Sequence, residues 1–136
     1  MRLKIKIAIY VASTVLSYSS FVKIAYAGIP QMAFCPDKDW IMDRSHRMGN
    51  LILEQPGTGT GPMRVSNPDF LDNVIGWKDT RVLVSSGRIA CDYEGKTDFN
   101  ILSESRNWLP GNSPPWHITS FIKICKAGIE QCIVHK

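Results

Sequence analysis

Two cysteines close the segment FIKICKAGIEQC, Cys125 and Cys132, with six residues between them, and two more stand at Cys35 and Cys91. Four thiols can do redox chemistry, hold a metal or form covalent ties, and spacing separates these uses. A thioredoxin-like centre needs C-x-x-C at a strand-to-helix junction. A structural zinc site needs paired ligands two to four residues apart. Neither spacing occurs, so the four are expected to form two disulfides, for which three pairings exist. The KAGIEQ connection around Gly128 is short enough to set Cys125 against Cys132, which leaves Cys35 for Cys91.

The remaining reactive side chains form weaker constellations. His46 follows Asp43 at helical spacing, with Asp37 and Asp39 nearby, but no second histidine clusters with them, and no metal is expected. Ser103 or Ser105 with His117 and an aspartate makes a triad only on paper, because no G-x-S-x-G elbow presents a nucleophile. Asp92 and Glu94 share one face of a strand with Cβ atoms ~7 Å apart, and Glu104 with Asp98 is a second carboxylate pair. A solvated face explains both pairs as well as glycosidase chemistry does. PGTGTGP lacks the GK[ST] of a phosphate-binding loop and reads as a flexible surface loop. No catalytic motif emerges, so the chain is not expected to be an enzyme, and no cofactor is expected.

Tryptophan offers a different chemistry. All four, Trp40, Trp77, Trp108 and Trp116, follow residue 27, and Trp108 and Trp116 flank the stiff loop LPGNSPP. Aromatics held on the surface by prolines suit sugar stacking or a protein hot spot, which makes Trp108 and Trp116 the candidate binding residues. The competing reading has them closing the open end of a small core, since tryptophan is highly but seldom completely buried.

The compartment decides whether disulfides can form. Arg2, Lys4 and Lys6 precede the apolar run IAIYVASTVL, and Ala25-Tyr26-Ala27 follows. This order is that of a secretory signal peptide over residues 1–27, with an exported domain over 28–136. The apolar run falls short of the ~20 residues of a membrane span. The membrane is therefore expected only as a barrier crossed during export, and the destination is periplasmic or secreted. Of the 16 Lys and Arg, four (Arg2, Lys4, Lys6 and Lys23) precede Gly28, leaving 12 against 12 Asp and Glu. A domain so balanced lacks the basic footprint of a nucleic-acid binder. A binding module that recognises a protein or a glycan through its loops is expected, an inhibitor or immunity-type protein among them; a hydrolase of cell-wall or extracellular polymers and a structural accessory of an envelope assembly are the alternatives.

The elements that must position these residues are short strands. NLILEQ (50–55) is an apolar run between Gly49 and Pro56, and SNPDFLDN (66–73) carries turn and capping residues. VIGWKD (74–79) reads as a strand bulged at Gly76. RVLVS (81–85) is β-branched; Ile89, Cys91 and Tyr93 then alternate with Ala90 and Asp92, and Phe99, Ile101 and Ser103 with Asn100 and Leu102. HITSFIKIC (117–125) reads as one more alternating strand, and 131–135 as a last edge strand. No stretch sustains helical periodicity. The prediction is an all-β domain, a small antiparallel sandwich or curled half-barrel of five to seven strands.

One pattern resembles a known family. Cys35-Pro36, a mid-chain tryptophan, Ile89-Ala90-Cys91-Asp92-Tyr93, Trp116 and the closing Cys125 and Cys132 are similar to the short exported bacterial proteins grouped as domain of unknown function 3757. The sequence departs from that pattern at its end, where Ile133 rather than proline follows Cys132. The resemblance implies an exported, disulfide-linked β domain and supplies no activity.

Overall fold

Side-chain alternation is clearest over residues 81–104, and the strands formed there lie inside the sheet order, away from its edges. A computed structural model describes residues 31–112 and 114–136; the leader read in residues 1–27 lies outside them. Strand β1 is Met32–Ala33, and the short helix α1 is Lys38–Met42. Strands β2 to β4 are Arg47–Met48, Leu51–Ile52 and Met63–Val65. The long strands β5, β6 and β7 are Val74–Val82, Ile89–Gly95 and Phe99–Ser103. Short strands β8 to β11 follow at Leu109–Pro110, His117–Ile118, Lys123–Cys125 and Val134–His135.

Eight strands make one antiparallel sheet in the order β2-β3-β4-β7-β6-β5-β10-β9, and three make a second in the order β1-β11-β8. The all-β expectation therefore holds, without a closed barrel and with more strands than the five to seven predicted. Most of the extra ones are pairs of residues too short to leave a periodic signal. β5 joins the segment read as 74–79 to the start of the one read as 81–85 and ends at Val82, with register shifts at Val74/Gly76 and Trp77/Asp79. Residues 134–135 lie at the centre of the small sheet instead of at an edge, because β1 and β8 pair on either side.

The segment 117–125 is not one strand. It folds back on itself as the β9–β10 hairpin, with Ile118 opposite Lys123. The hydroxyl of Thr119 explains the break: it accepts from the N–H groups of Phe121 (3.2 Å) and Ile122 (3.1 Å), a local bond that competes with extended pairing.

One face of the large sheet carries the core. Ile89, Cys91 and Tyr93 of β6, Ile101 and Ser103 of β7, and Met63 and Val65 of β4 are buried there, joined by Ile41, Leu71, Ala33 and Val134. Tyr93 has no exposed surface, and its hydroxyl donates to the carbonyl of Pro36, which satisfies the one polar atom of a buried ring. α1 starts where Asp37 caps it, accepting from the N–H of Trp40 at 3.0 Å. Core and disulfides all lie within Gln31–Lys136, which forms a unit of its own. Its two ends pair, Gln31 and Lys136 exchanging backbone hydrogen bonds.

The cysteines are paired as the spacing predicts, Cys35 with Cys91 and Cys125 with Cys132. Cys35 follows β1 and Cys91 lies in β6; Cys125 ends β10 and Cys132 precedes β11. Each bond thus ties a segment at the end of a small-sheet strand to a strand of the large sheet.

Candidate functional site

Two loops that carry no regular structure face one another across an open cleft of about 420 Å³. One wall is Gln55, Pro56 and Gly57, with Phe34, Cys35 and Asp37 beside it; the other is Ile129, Glu130 and Gln131. Local bonding holds the first wall. Asp37 and Gln55 clasp each other, Gln55 Nε2 donating to Asp37 Oδ2 at 2.7 Å and Asp37 N donating to Gln55 Oε1 at 3.0 Å. The Gln55 carbonyl accepts twice from Thr58, from its N–H at 3.1 Å and its hydroxyl at 2.6 Å. Phe34 N–H donates to the Thr58 carbonyl at 2.9 Å, which fastens the loop to the end of β1. The second wall is the connection inside the Cys125–Cys132 disulfide, where Cys132 N–H donates to Gly128 O at 3.0 Å.

The flexible-loop expectation for PGTGTGP is thereby corrected. Thr58 and Thr60 are each 2 % exposed, and a Cβ on Gly59 would lie 2.3 Å from the Met32 carbonyl oxygen. Alternating threonine and glycine here place hydroxyls inward and let the backbone approach β1. A periodic T-G-T-G read as packing, rather than as punctuation, carries that signal.

The lining of the cleft has acceptors and no cation: two carboxylates, Asp37 and Glu130, and two amides, Gln55 and Gln131, around the apolar Phe34, Pro56 and Ile129. Partial burial pushes the Asp37 carboxyl up. Hydrogen bonds from the Gln55 side chain and from the backbone of Trp40 and Asp39 outweigh this and hold it below its ordinary value. Asp37 is accordingly an anion at neutral pH.

The candidate binding residues of the sequence reading are not in this site. Trp108 is 3 % exposed and Trp116 4 %, both within the core. Trp108 Nε1 donates to Ser105 Oγ at 2.8 Å and Trp116 Nε1 to the Ile133 carbonyl at 3.1 Å. The exposure expected of them is corrected: both pack into the core, and the Lys136 ammonium covers the Trp108 ring 4.5 Å from its centroid.

No protein-family profile, curated protein or solved structure matches the chain. What it does must be argued from its own side chains.

The paper triad does not assemble. Ser103 Oγ accepts from Ile89 N–H at 2.8 Å and donates to the Ser105 carbonyl at 2.8 Å, while His117 sits on β9 opposite Ile124. His46 stacks on Trp40 with centroids 3.4 Å apart, and its Nε2 is 3.9 Å from Asp43 Oδ2. Among the described residues no group of three or more His, Cys, Asp and Glu is placed to hold a metal. Asp98 pairs with Lys78 at 2.8 Å and Glu104 with Arg64, so that carboxylate pair is divided between separate cations.

Asp92 has a different neighbour from the one its sequence position suggests. Across the β5–β6 ladder it faces Asp79, and Arg81 grips it through two bonds, Nε to Oδ2 at 2.6 Å and Nη2 to Oδ1 at 2.9 Å. Asp79 is 8 % exposed; its Oδ1 has no hydrogen-bond donor, with Arg81 Nε 3.9 Å away. Burial first, then the shared hydrogen bond and charge of Asp92, push the Asp79 carboxyl up to about 7, against the opposing pull of Arg81 and Lys126. The two carboxyls face one another across the ladder, yet none of the cleft-lining residues belongs to this group. The β5 bulges decide which residue faces Asp92, and alternation cannot count across a bulge.

Proposed function

We propose that the protein is an exported binding module, periplasmic or secreted, that recognises a glycan or a protein segment through the cleft between the 55–61 loop and the Cys125–Cys132 loop. The observation that carries this is the construction of the cleft. Cys35 lines one wall and Ile129 to Gln131 sit inside the second disulfide, so covalent ties fix both walls before a ligand arrives. A preformed cleft loses little ordering entropy on binding. Its acceptor-rich, cation-free lining suits a ligand that brings donors, such as sugar hydroxyls or the ammonium or guanidinium of a peptide side chain. Two disulfides suit an oxidising compartment, and among the described residues no helix is long and apolar enough to cross a membrane. Membership of the exported bacterial family that the cysteine and tryptophan pattern resembles would place the chain in the same setting.

The reading is tested by immobilising the oxidised protein and measuring retention of defined oligosaccharides and of lysine- or arginine-containing peptides, for wild type and for Glu130→Gln and Gln131→Ala. Selective retention that falls at least about tenfold in either variant, with an unchanged melting curve, supports it; that is the size expected for one charge-assisted hydrogen bond. Retention indifferent to both substitutions, or none, removes the cleft as the binding site.

A further inference from the structure

The tip of the β9–β10 hairpin presents Phe121 at 91 % exposure, the largest exposure of any large apolar side chain among the described residues. Ile118 (48 %) and Ile122 (39 %) flank it, so three apolar side chains share one tight turn. Single exposed apolar residues are ordinary; a contiguous group at a projecting end is not. Part of the backbone of this turn is already satisfied internally. Thr119 N–H donates to the Ile122 carbonyl at 2.8 Å, and the N–H groups of Phe121 and Ile122 both donate to Thr119 Oγ1. A segment at an apolar boundary gains from carrying backbone bonds with it, and three N–H groups of this turn are so engaged. Along the chain on either side of it the charge has one sign. Lys123 stands opposite Ile118 on the same face, Lys126 is exposed just beyond β10, and no Asp or Glu occurs between Glu104 and Glu130.

We propose that the β9–β10 hairpin is a membrane-surface contact: it seats Phe121, Ile118 and Ile122 at the acyl boundary of an anionic bilayer while Lys123 and Lys126 meet the headgroup phosphates. An apolar tip with lysines behind it matches the depth profile of a lipid interface, in which long cationic side chains reach back to the polar layer. The size of the patch favours lipid over protein. A stable protein interface takes about 20–30 residues a side, whereas a lipid surface asks for no matching shape. β9 is also too short an edge to template an added strand. Such an anchor is weak and reversible, and goes beyond the passage through a membrane expected of an exported chain. It shares no residue with the cleft, so its failure leaves that reading standing.

The test is co-sedimentation of the oxidised protein, residues 28–136, with vesicles of phosphatidylethanolamine and phosphatidylglycerol, against vesicles of phosphatidylcholine alone. The expected result is binding to the anionic vesicles that weakens with added salt, and that falls about tenfold or more in Phe121→Ser, the loss expected for removing one buried phenyl ring. Lys123→Gln with Lys126→Gln should abolish the preference for anionic lipid. All three positions are at least partly exposed, so melting curves should not move. No sedimentation with anionic vesicles, or equal sedimentation of wild type and Phe121→Ser, overturns the proposal. Retention by a protein that needs Phe121 in the absence of lipid binding would overturn it in favour of a protein pocket.

Discussion

At the scale of single residues, Asp79 is where structure departs furthest from ordinary solution chemistry. The carboxyl is buried beside Asp92, and its ionisation is displaced from 3.8 to about 7. Between those values the folded chain holds a proton that the unfolded chain has released. Stability must therefore fall as pH rises from about 4 to about 7, and level off above. Asp37 works in the opposite direction at lower pH. Its depressed carboxyl contributes stability that is present above its unfolded value and lost as pH falls below it. The two together predict greatest stability in weakly acidic solution. Asp79→Asn keeps the shape, donates to Asp92 and removes the charge. It should raise stability at pH 8 by about 2 kcal/mol, less than the full displacement implies because losing the carboxylate also loses its attraction to Arg81. It should also flatten the decline between pH 5 and pH 8 in thermal melts. A wild-type melting temperature that rises across that interval would contradict the assignment.

Elements were legible where they are long and alternate, and hidden where a side chain overrides the period. Cys91, Tyr93, Ile101 and Ser103 all point inward as the period of two requires, and Gly76 marks a real register shift. The turn at Thr119 was not legible, because HITSFIKIC alternates well enough to pass for a strand, and only the Thr119 hydroxyl bonds show why it folds back. Trp108 and Trp116 were equally ambiguous, since Pro-rich flanks suit a display loop or a lid over a core. Their burial makes a direct prediction. Trp108→Ala or Trp116→Ala should cost about 3–5 kcal/mol and lower the melting temperature sharply, an effect that loss of a surface aromatic would not have. The 55–61 loop gives a finer test through two adjacent glycines with positive φ. Gly57 (φ +88°) has open space around a would-be Cβ, whereas Gly59 (φ +74°) meets the Met32 carbonyl at 2.3 Å. Alanine at Gly57 meets only backbone strain, about 1 kcal/mol. Alanine at Gly59 must also push β1 away, so it should destabilise more in denaturant titration and disturb the cleft with it.

For the molecule as a whole, the question is what holds a sheet of two-residue strands in place. Most of β1, β8 and β11 is too short to be stable by pairing alone, and a small domain closes such gaps with covalent ties. Both pairings were legible from spacing and turn chemistry, but their architectural role was not: each joins a segment flanking the small sheet to a strand of the large one. The cleft was illegible for a related reason, since its walls, near 55 and near 130, meet only because Cys35 and Cys132 bring their loops to the same end of the molecule. The two ties differ in reach, with sequence separations of 56 and 7. Loop-closure entropy assigns about 4 kcal/mol to the first and about 2.5 kcal/mol to the second. Cys35 and Cys91 are also 0 % exposed, so replacing both with serine sets two hydroxyls into the core, beside the Thr80 hydroxyl that lies 3.1 Å from Cys35 Sγ. The double substitution Cys35→Ser/Cys91→Ser should therefore cost more than Cys125→Ser/Cys132→Ser and bring the domain near unfolding. The second pair should leave a folded domain with the Ile129 to Gln131 wall loosened, read as faster amide exchange across 126–133 and weaker ligand retention by the cleft. Equal melting temperatures for the two double variants would show that neither tie acts through the loop it closes.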